Sequence, residues 1–446
     1  MSNDQIIDES APAAALEHQP STSRWQEVAF PVTAYLAIGA VIMVLAWVSY
    51  RFMDGWVSYA VKNPYKFRGD HIFGGWMRYD AYWYTDIANN GYSHDPGKAS
   101  SVAFFPAYPL SVRMLGLLLT DNVLAGILLT FSSGLAFAIF FYRWCLRKME
   151  SRPARLAVLL LLTYPYAYYL YGAVYADAFF LMFAALAFLL LEKDRVLLAG
   201  LAAAVAGAAR PVGLAVFVGL VAVEIERRGI LVIPFLDRMR SKNGSSPGGD
   251  PSPATDRRRI SVALRRVRVV DFALLLSLSG WALWCGYLWR AFGDPFLYVA
   301  VEGAPGWDQE QGPSTWFKAH WIDLLSQYNH FIHDRVQSWD NLVYTTNVSF
   351  QAVLAVAFLA SIPLVIRRLG WGYAVYVLVI VAIPVLGTKD WQGTGRYLLA
   401  GFPVFAALAM WLVDRRHRVL RTLLLVASAS LLLLFTSAFA RGYYLS

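Results

Sequence analysis

Residues 78–110 read RYDAYWYTDIANNGYSHDPGKASSVAFFPAYPL. The stretch sets charge, aromatics and turn residues between runs of hydrocarbon. It opens on Asp80 among tyrosines and tryptophans and closes at Phe104-Phe105-Pro106 and Pro109, where an apolar helix can begin. The apolar segment that follows, 106–119, is interrupted by Arg113 and is too short to cross a bilayer, which takes about 20 residues. An interfacial or re-entrant helix is expected there, because irregular backbone survives at membrane depth only when buried in protein or lining a cavity. The stretch therefore reads as the second half of a loop, 50–121, that holds a reacting group at one face of a membrane.

Outward from that loop the chain is nearly all hydrocarbon. Of its 446 residues 58% are hydrophobic and 15% charged, with a mean hydropathy of +0.45. Soluble domains carry about 25% charged residues, and a soluble chain of this size could not hide so much apolar surface. The formal net charge of +9 falls in short clusters beside apolar runs, the pattern of cytosolic loops rather than of a nucleic-acid surface. No nucleic-acid partner is expected. Cys145 and Cys285 have no metal-ligand spacing and lie in different settings, so both read as packing residues.

Apolar runs predict about eleven transmembrane helices: 28–48, 122–142, 156–172, 178–191, two short spans within 196–223, then 271–290, 347–366, 371–386, 397–413 and 419–439. The division of 196–223 rests on Arg210-Pro211, since proline lacks a backbone donor and disfavours helix at the residue before it. Basic clusters at Arg143 to Arg155, in 224–270, at Arg367-Arg368 and at Arg415 to Arg418 mark the cytosol. The loop 291–346 carries Asp294, Glu302, Asp308, Glu310, Asp323, Asp334 and Asp340 against Lys318 and Arg335, and should lie outside. Only the two-span reading of 196–223 keeps every basic cluster on one side. With the N-terminus cytosolic, residues 1–24 read as a disordered polar tail and 25–446 as one transmembrane domain, its first span retained rather than cleaved as a signal. Within 224–270, eleven Arg or Lys flank the Gly/Ser/Pro-rich run NGSSPGGDPSPATD, a flexible linker whose cations suit anionic headgroups.

This topology gathers polar residues at the outer face: Arg78, Asp80, Asp86, His94 and Asp95; Tyr175 and Asp177; Arg210; the acidic loop; and Lys389, Asp390, Arg396 and Tyr397. Sugar transfer on that side has no nucleotide sugar to draw on. It needs a polyprenyl phosphate sugar, a carboxylate to take the acceptor's proton, and cations to hold the leaving phosphate. Asp80 fits the first role, Arg210 and Arg396 the second. Asp80 and Asp86 stand about 240° apart on a helix, so they are not an acid/base pair, and Asp86 reads as an anchor of the helix. Trp76, Tyr79, Tyr82, Trp83 and Tyr84 read first as an interfacial aromatic belt and second as sugar-stacking rings.

Arg78-Tyr79-Asp80-Ala81, Gly91-Tyr92 and Ala103-Phe104-Phe105-Pro106 with Tyr108-Pro109 resemble the first outer loop of the PIG-V-type mannosyltransferases, a family of the GT-C class. Tyr175-Ala176-Asp177-Ala178-Phe179-Phe180, Arg210-Pro211-Val212-Gly213, Phe292-Gly293-Asp294-Pro295-Phe296 and Gly395-Arg396-Tyr397-Leu398 resemble later segments of that family, in order. Tyr79 stands where Trp is common, and Asp177 where Glu is common. The resemblance implies an all-α, polytopic GT-C membrane enzyme that transfers mannose with inversion from a polyprenyl or dolichyl phosphate to a glycolipid or glycan, without metal or other cofactor. The resemblance makes Asp80 the catalytic base; from their place at the outer face Arg210 and Arg396 are expected to hold the donor phosphate, and Arg78, Tyr79, Trp83, Asp86, His94, Tyr108, Tyr175, Asp177, Lys389 and Tyr397 are the expected substrate contacts. A bacterial plasma membrane is the expected location. A lipid-linked sugar flippase or transporter is the rival reading, and predicts charges along a midplane path.

Overall fold

The computed structural model describes residues 26–55, 72–241, 260–305, 307–309, 312–333 and 335–445. The expected tail over 1–24, the linker run 243–255, Glu310 and Asp334 lie outside the described residues. Among the described residues the regular structure is helical apart from a two-residue antiparallel pairing of Leu231-Val232 with Ser261-Val262.

Among the described residues five helices are long and apolar enough to cross a membrane: Glu27–Phe52, Asn122–Cys145, Val269–Phe292, Asn341–Leu369 and Arg415–Ala440. A sixth is formed if Thr394–Ala400 and Phe402–Leu412, bent by 71° at Gly401, count as one span. Helices also stand at the other predicted spans, but Ser151–Leu162, Asp177–Glu192, Val196–Ala209, Gly213–Arg227 and Trp371–Gly387 have 12 to 17 residues. At 1.5 Å per residue even the longest of these reaches only about 25 Å. Eleven full spans are thus more than the helix lengths provide. The expected span 156–172 is broken for a physical reason. Pro165 cannot continue a helix, so regular helix stops at Leu162 and resumes only as a 3-10 turn at Ala167–Leu170. The same rule splits Val196–Ala209 from Gly213–Arg227, with Arg210 extended between them at φ −154°, ψ 149°.

The broken segment 163–175 is the centre of the core. Tyr166, Tyr168, Tyr169, Tyr171 and Tyr175 are all fully buried, and buried phenols need partners. The Tyr164 hydroxyl donates to the Gly395 carbonyl (3.1 Å), Tyr166 to Asn347 Oδ1 (2.9 Å), and Tyr171 to the Leu162 carbonyl (3.2 Å). The first two of these bonds tie the first half of the chain to its last quarter. Small residues bring the helix Ser279–Phe292 against Val196–Ala209, where a Cβ at Gly280 would lie 1.9 Å from the Ala204 carbonyl oxygen.

The helix ends sort into two sets. At one end, Arg143 pairs with Glu27, Lys148 with Glu192, and Arg227 and Arg268 with Asp194. Glu226 accepts the Trp371 and Gly372 amides there. The other end gathers the 78–110 stretch, Tyr175, Arg210, the loop after Phe292, the Thr388–Arg396 turn and the C-terminal residues, around one cavity.

Candidate active site

The site starts from a turn. Tyr79 adopts φ 49°, a left-handed conformation that costs a bulky residue energy and is held by its surroundings. Its hydroxyl donates to the Gly442 carbonyl and its ring packs edge-on to Tyr444 at 4.5 Å. The turn leaves Asp80 at the N-cap of the helix Ala81–Asn90, yet the carboxylate makes no capping bond. It points to Arg396 instead, whose Nη1 donates to Asp80 Oδ2 at 2.9 Å across 316 residues of sequence. Tyr175 fixes the turn from below: its hydroxyl donates to the Arg78 carbonyl and accepts the Asp80 amide, both at 3.1 Å.

Arg396 is placed with equal care. The preceding Gly395 donates its amide to Gln351 Oε1 (2.8 Å) and accepts from Tyr164 (3.1 Å). A Cβ at 395 would sit 2.4 Å from the Tyr166 ring, so only glycine fits. The guanidinium lies 5.3 Å from the Tyr175 ring centroid and 5.7 Å from that of Tyr169. Its Nε is buried without a hydrogen-bond partner among the described residues, which leaves a donor for a ligand.

A second ion pair stands beside the first. Arg210 pairs with Asp177, at the start of the helix Asp177–Glu192, and its guanidinium covers the Tyr397 ring at 4.5 Å. The two pairs differ in access. The Asp177 and Arg210 side chains are 3% and 6% exposed, those of Asp80 and Arg396 24% and 15%. A substrate can therefore reach the Asp80 carboxylate directly, whereas Asp177 is a buried counter-ion.

The cavity, about 380 Å³, is lined by Asp80, Tyr84, Phe104, Arg210, Glu302, Trp307, Lys389, Arg396, Tyr397 and Tyr444, among others. Its size suits a small ligand site. Lys389 donates its amide to Gln309 Oε1 (2.7 Å), and its ammonium lies 3.7 Å from Asp308. Lys318 braces the same turn by donating to the Thr388 carbonyl, and burial lowers its pKa to about 8, only partly offset by Asp390. Glu302 sits in the short 3-10 turn Val301–Gly303. Burial and the nearby Asp80 charge push its carboxyl up to about 7, against the pull of Arg396.

Of the residues expected from sequence, Asp80, Arg210, Lys389, Arg396 and Tyr397 line this cavity, and Tyr175 and Asp177 stand behind it as supports. Trp83 is at the rim, stacked on Phe104 (5.8 Å) and edge-on to Trp307 (5.6 Å). The remaining expected contacts do not line it. Arg78 turns away to the Ala440 carbonyl and Tyr79 to Gly442. Asp86 accepts from Asn90 on an exposed helix face (2.7 Å), as its 240° offset from Asp80 requires. His94 packs near Phe292, and Tyr108 is buried against Thr130 and the Gly126 carbonyl. Sequence reasoning did not pick out Glu302, Trp307, Gln309, Tyr344, Gln392 or Tyr444 as site residues. Glu302 carried one signal, being the lone acid in the apolar run Phe296–Ala304. Among the described residues no group of three or more His, Cys, Asp or Glu gathers to hold a metal.

Long apolar helices that end on a shared charged cavity define a helical integral membrane protein with a candidate site at one end of the bundle. No protein-family model matches the chain, and no curated protein matches it. Among solved structures it aligns with the oligosaccharyltransferase of Archaeoglobus fulgidus. The apo form gives a TM-score of 0.43 at 11% identity over 92% of this chain and 56% of that one. The form in complex with an inhibitory peptide and a dolichol-phosphate gives 0.39 at 11% identity, again over 92% and 56%. The chain thus spans little more than half the length of that protein.

Proposed function

We propose that the chain is an inverting GT-C-type glycosyltransferase. It moves a hexose, mannose by the motif resemblance, from a polyprenyl phosphate to a glycolipid or glycan acceptor on the extracytoplasmic face of a bacterial plasma membrane. The observation that carries this reading is the open Asp80–Arg396 pair, with Arg210 lining the same cavity at one end of an apolar bundle.

The chemistry follows from the charges. A donor phosphate entering the cavity offers stronger acceptors to Arg396 than a single Asp80 oxygen does, because its oxygens can be held bidentately. Arg396, with its spare Nε, and Arg210 at the wall take the phosphate. Asp80 is thereby released from its counter-ion. Its freed carboxylate accepts the proton of the acceptor hydroxyl as that oxygen bonds to the anomeric carbon. The bond from the same carbon to the phosphate oxygen breaks on the opposite face, which inverts the centre and leaves polyprenyl phosphate on the two arginines. Asp177 keeps Arg210 in place, and Glu302, its carboxyl raised to about 7, presents a hydrogen-bond donor in its protonated form without adding a second anion beside Asp80. No metal enters this scheme.

The rival flippase reading needs charges along a midplane path. The arginines and acids of this cavity sit at the ends and breaks of helices instead, which favours the enzyme. The test is a purified-protein assay with a panel of polyprenyl phosphate sugars, following release of sugar, its acceptor, and the configuration of the new linkage. Transfer with inversion from polyprenyl phosphate mannose is expected. Transbilayer movement of the donor without sugar transfer would overturn the reading.

A further inference from the structure

The opposite end of the bundle holds a second hollow, about 340 Å³, between the helices Ser151–Leu162 and Arg418–Ala440. Its wall carries three cations, Arg152, Arg155 and Arg421, and its floor is apolar, made by Leu156, Leu159, Val413 and Leu425. Several basic residues at this end are ion-paired: Arg143 with Glu27, Lys148 with Glu192, and Arg416 with Asp414. The three arginines of the hollow have no carboxylate within ion-pair distance among the described residues. Arg421 donates only to the Leu412 and Val413 carbonyls (3.2 and 3.4 Å), and Arg155 lies 5.4 Å from the Phe30 ring centroid. Asp414, the acid beside Val413, is occupied by Arg416 at 3.1 Å.

Three unneutralised guanidiniums around one hollow are repelled by each other and call for an anion. The apolar floor calls for hydrocarbon. The hollow also opens beside Arg418–Ala440, a helix whose apolar side chains Val419, Leu423 and Val426 are exposed. One ligand class satisfies all three features: a lipid with an anionic phosphate headgroup, its phosphate among the arginines and the start of its chains on the leucines. We propose that this hollow is a binding site for an anionic phospholipid, remote from the reaction cavity and independent of the chemistry there. Arg152 and Arg155, one helical turn apart on the same face, supply the phosphate contact. Arg421 joins them from the neighbouring helix and couples the headgroup to the turn that follows the Phe402–Leu412 helix.

The test is native mass spectrometry of the full-length protein titrated with phosphatidylglycerol, with phosphatidylcholine of the same chains as reference and inorganic phosphate as a third arm. The variants are Arg152→Gln/Arg155→Gln and a charge-matched control, Arg147→Gln/Arg367→Gln, which removes two exposed arginines elsewhere at the same end. Melting temperatures confirm that both are folded. A basic residue near an anionic surface contributes about a factor of five. Phosphatidylglycerol should thus bind wild type and control alike, and the Arg152/Arg155 variant roughly 25-fold more weakly. Equal losses in variant and control would mean diffuse attraction and overturn the site. Binding of inorganic phosphate as tight as that of the lipid would overturn the lipid assignment.

Discussion

Replacing Glu302 by glutamine should stabilise the protein by an amount that grows as pH rises from about 4.5 to 7 and is constant above that. In the folded chain burial and the Asp80 charge keep the Glu302 carboxyl protonated up to about pH 7, against 4.5 for a free side chain. Between those values the folded chain holds a proton that the unfolded chain has released, so stability falls as pH rises. Below about 4.5 both states are protonated, and above about 7 both are ionised, so the penalty is constant there. At about 1.4 kcal/mol for each pH unit the full penalty is roughly 3 kcal/mol, and partial solvent access trims it to about 2 kcal/mol. Glutamine keeps the shape and a donor but never ionises. The melting midpoint of detergent-solubilised Glu302→Gln should therefore match wild type at about pH 4 and exceed it by about 3 °C or more at pH 8.5. A Glu302→Gln difference that is equal at both pH values would refute the claim that this carboxyl is neutral in the resting site.

Three further outcomes follow from the packing around the cavity. Asp177→Ala strands a buried guanidinium and should cost about 3–5 kcal/mol of stability, largely recovered in Asp177→Ala/Arg210→Met; a single variant that melts with wild type would show that Arg210 finds its counter-ion elsewhere. Gly393 lines the cavity at φ 77°, so Gly393→Ala should cost about 1–2 kcal/mol from backbone conformation alone, read as a lower melting midpoint. Deleting residues 243–255, which the sequence reads as a linker, should leave sugar turnover within about twofold of wild type; a dead enzyme would contradict the linker reading.

The parts of the fold legible in the sequence are those decided by local rules. Arg210-Pro211 announced its break because proline acts on its immediate neighbours, and the 13-residue helix Ala107–Leu119 formed where the sequence predicted a helix too short to span. Tyr164-Pro165 carried the same signal, but the unbroken run of apolar and aromatic residues around it masked the interruption. Charge parity divided helix ends into two sets, and the ion pairs of each set do meet at one end. Parity could not say which residues touch. The bond between Asp80 and Arg396 joins points 316 residues apart, and its geometry depends on Tyr164, Tyr175 and Gln351, whose roles are set by tertiary packing. For the same reason Arg78 and Tyr79, adjacent to Asp80, turn to the C-terminal residues and not to the cavity. Glu302 looked like one solvated acid among seven until its burial beside Asp80 was visible.

The central claim is that Asp80 takes the acceptor's proton once a donor phosphate has drawn Arg396 away. Single-turnover transfer from radiolabelled polyprenyl phosphate mannose, measured with wild type and Asp80→Asn at saturating donor, tests it most directly, with donor affinity determined in parallel. Asparagine keeps the size of the side chain and loses the base. Asp80→Asn should bind donor at least as tightly as wild type, because Arg396 no longer has an anion to leave, while its transfer rate falls about 10²–10⁴-fold. Transfer at the wild-type rate would contradict the account.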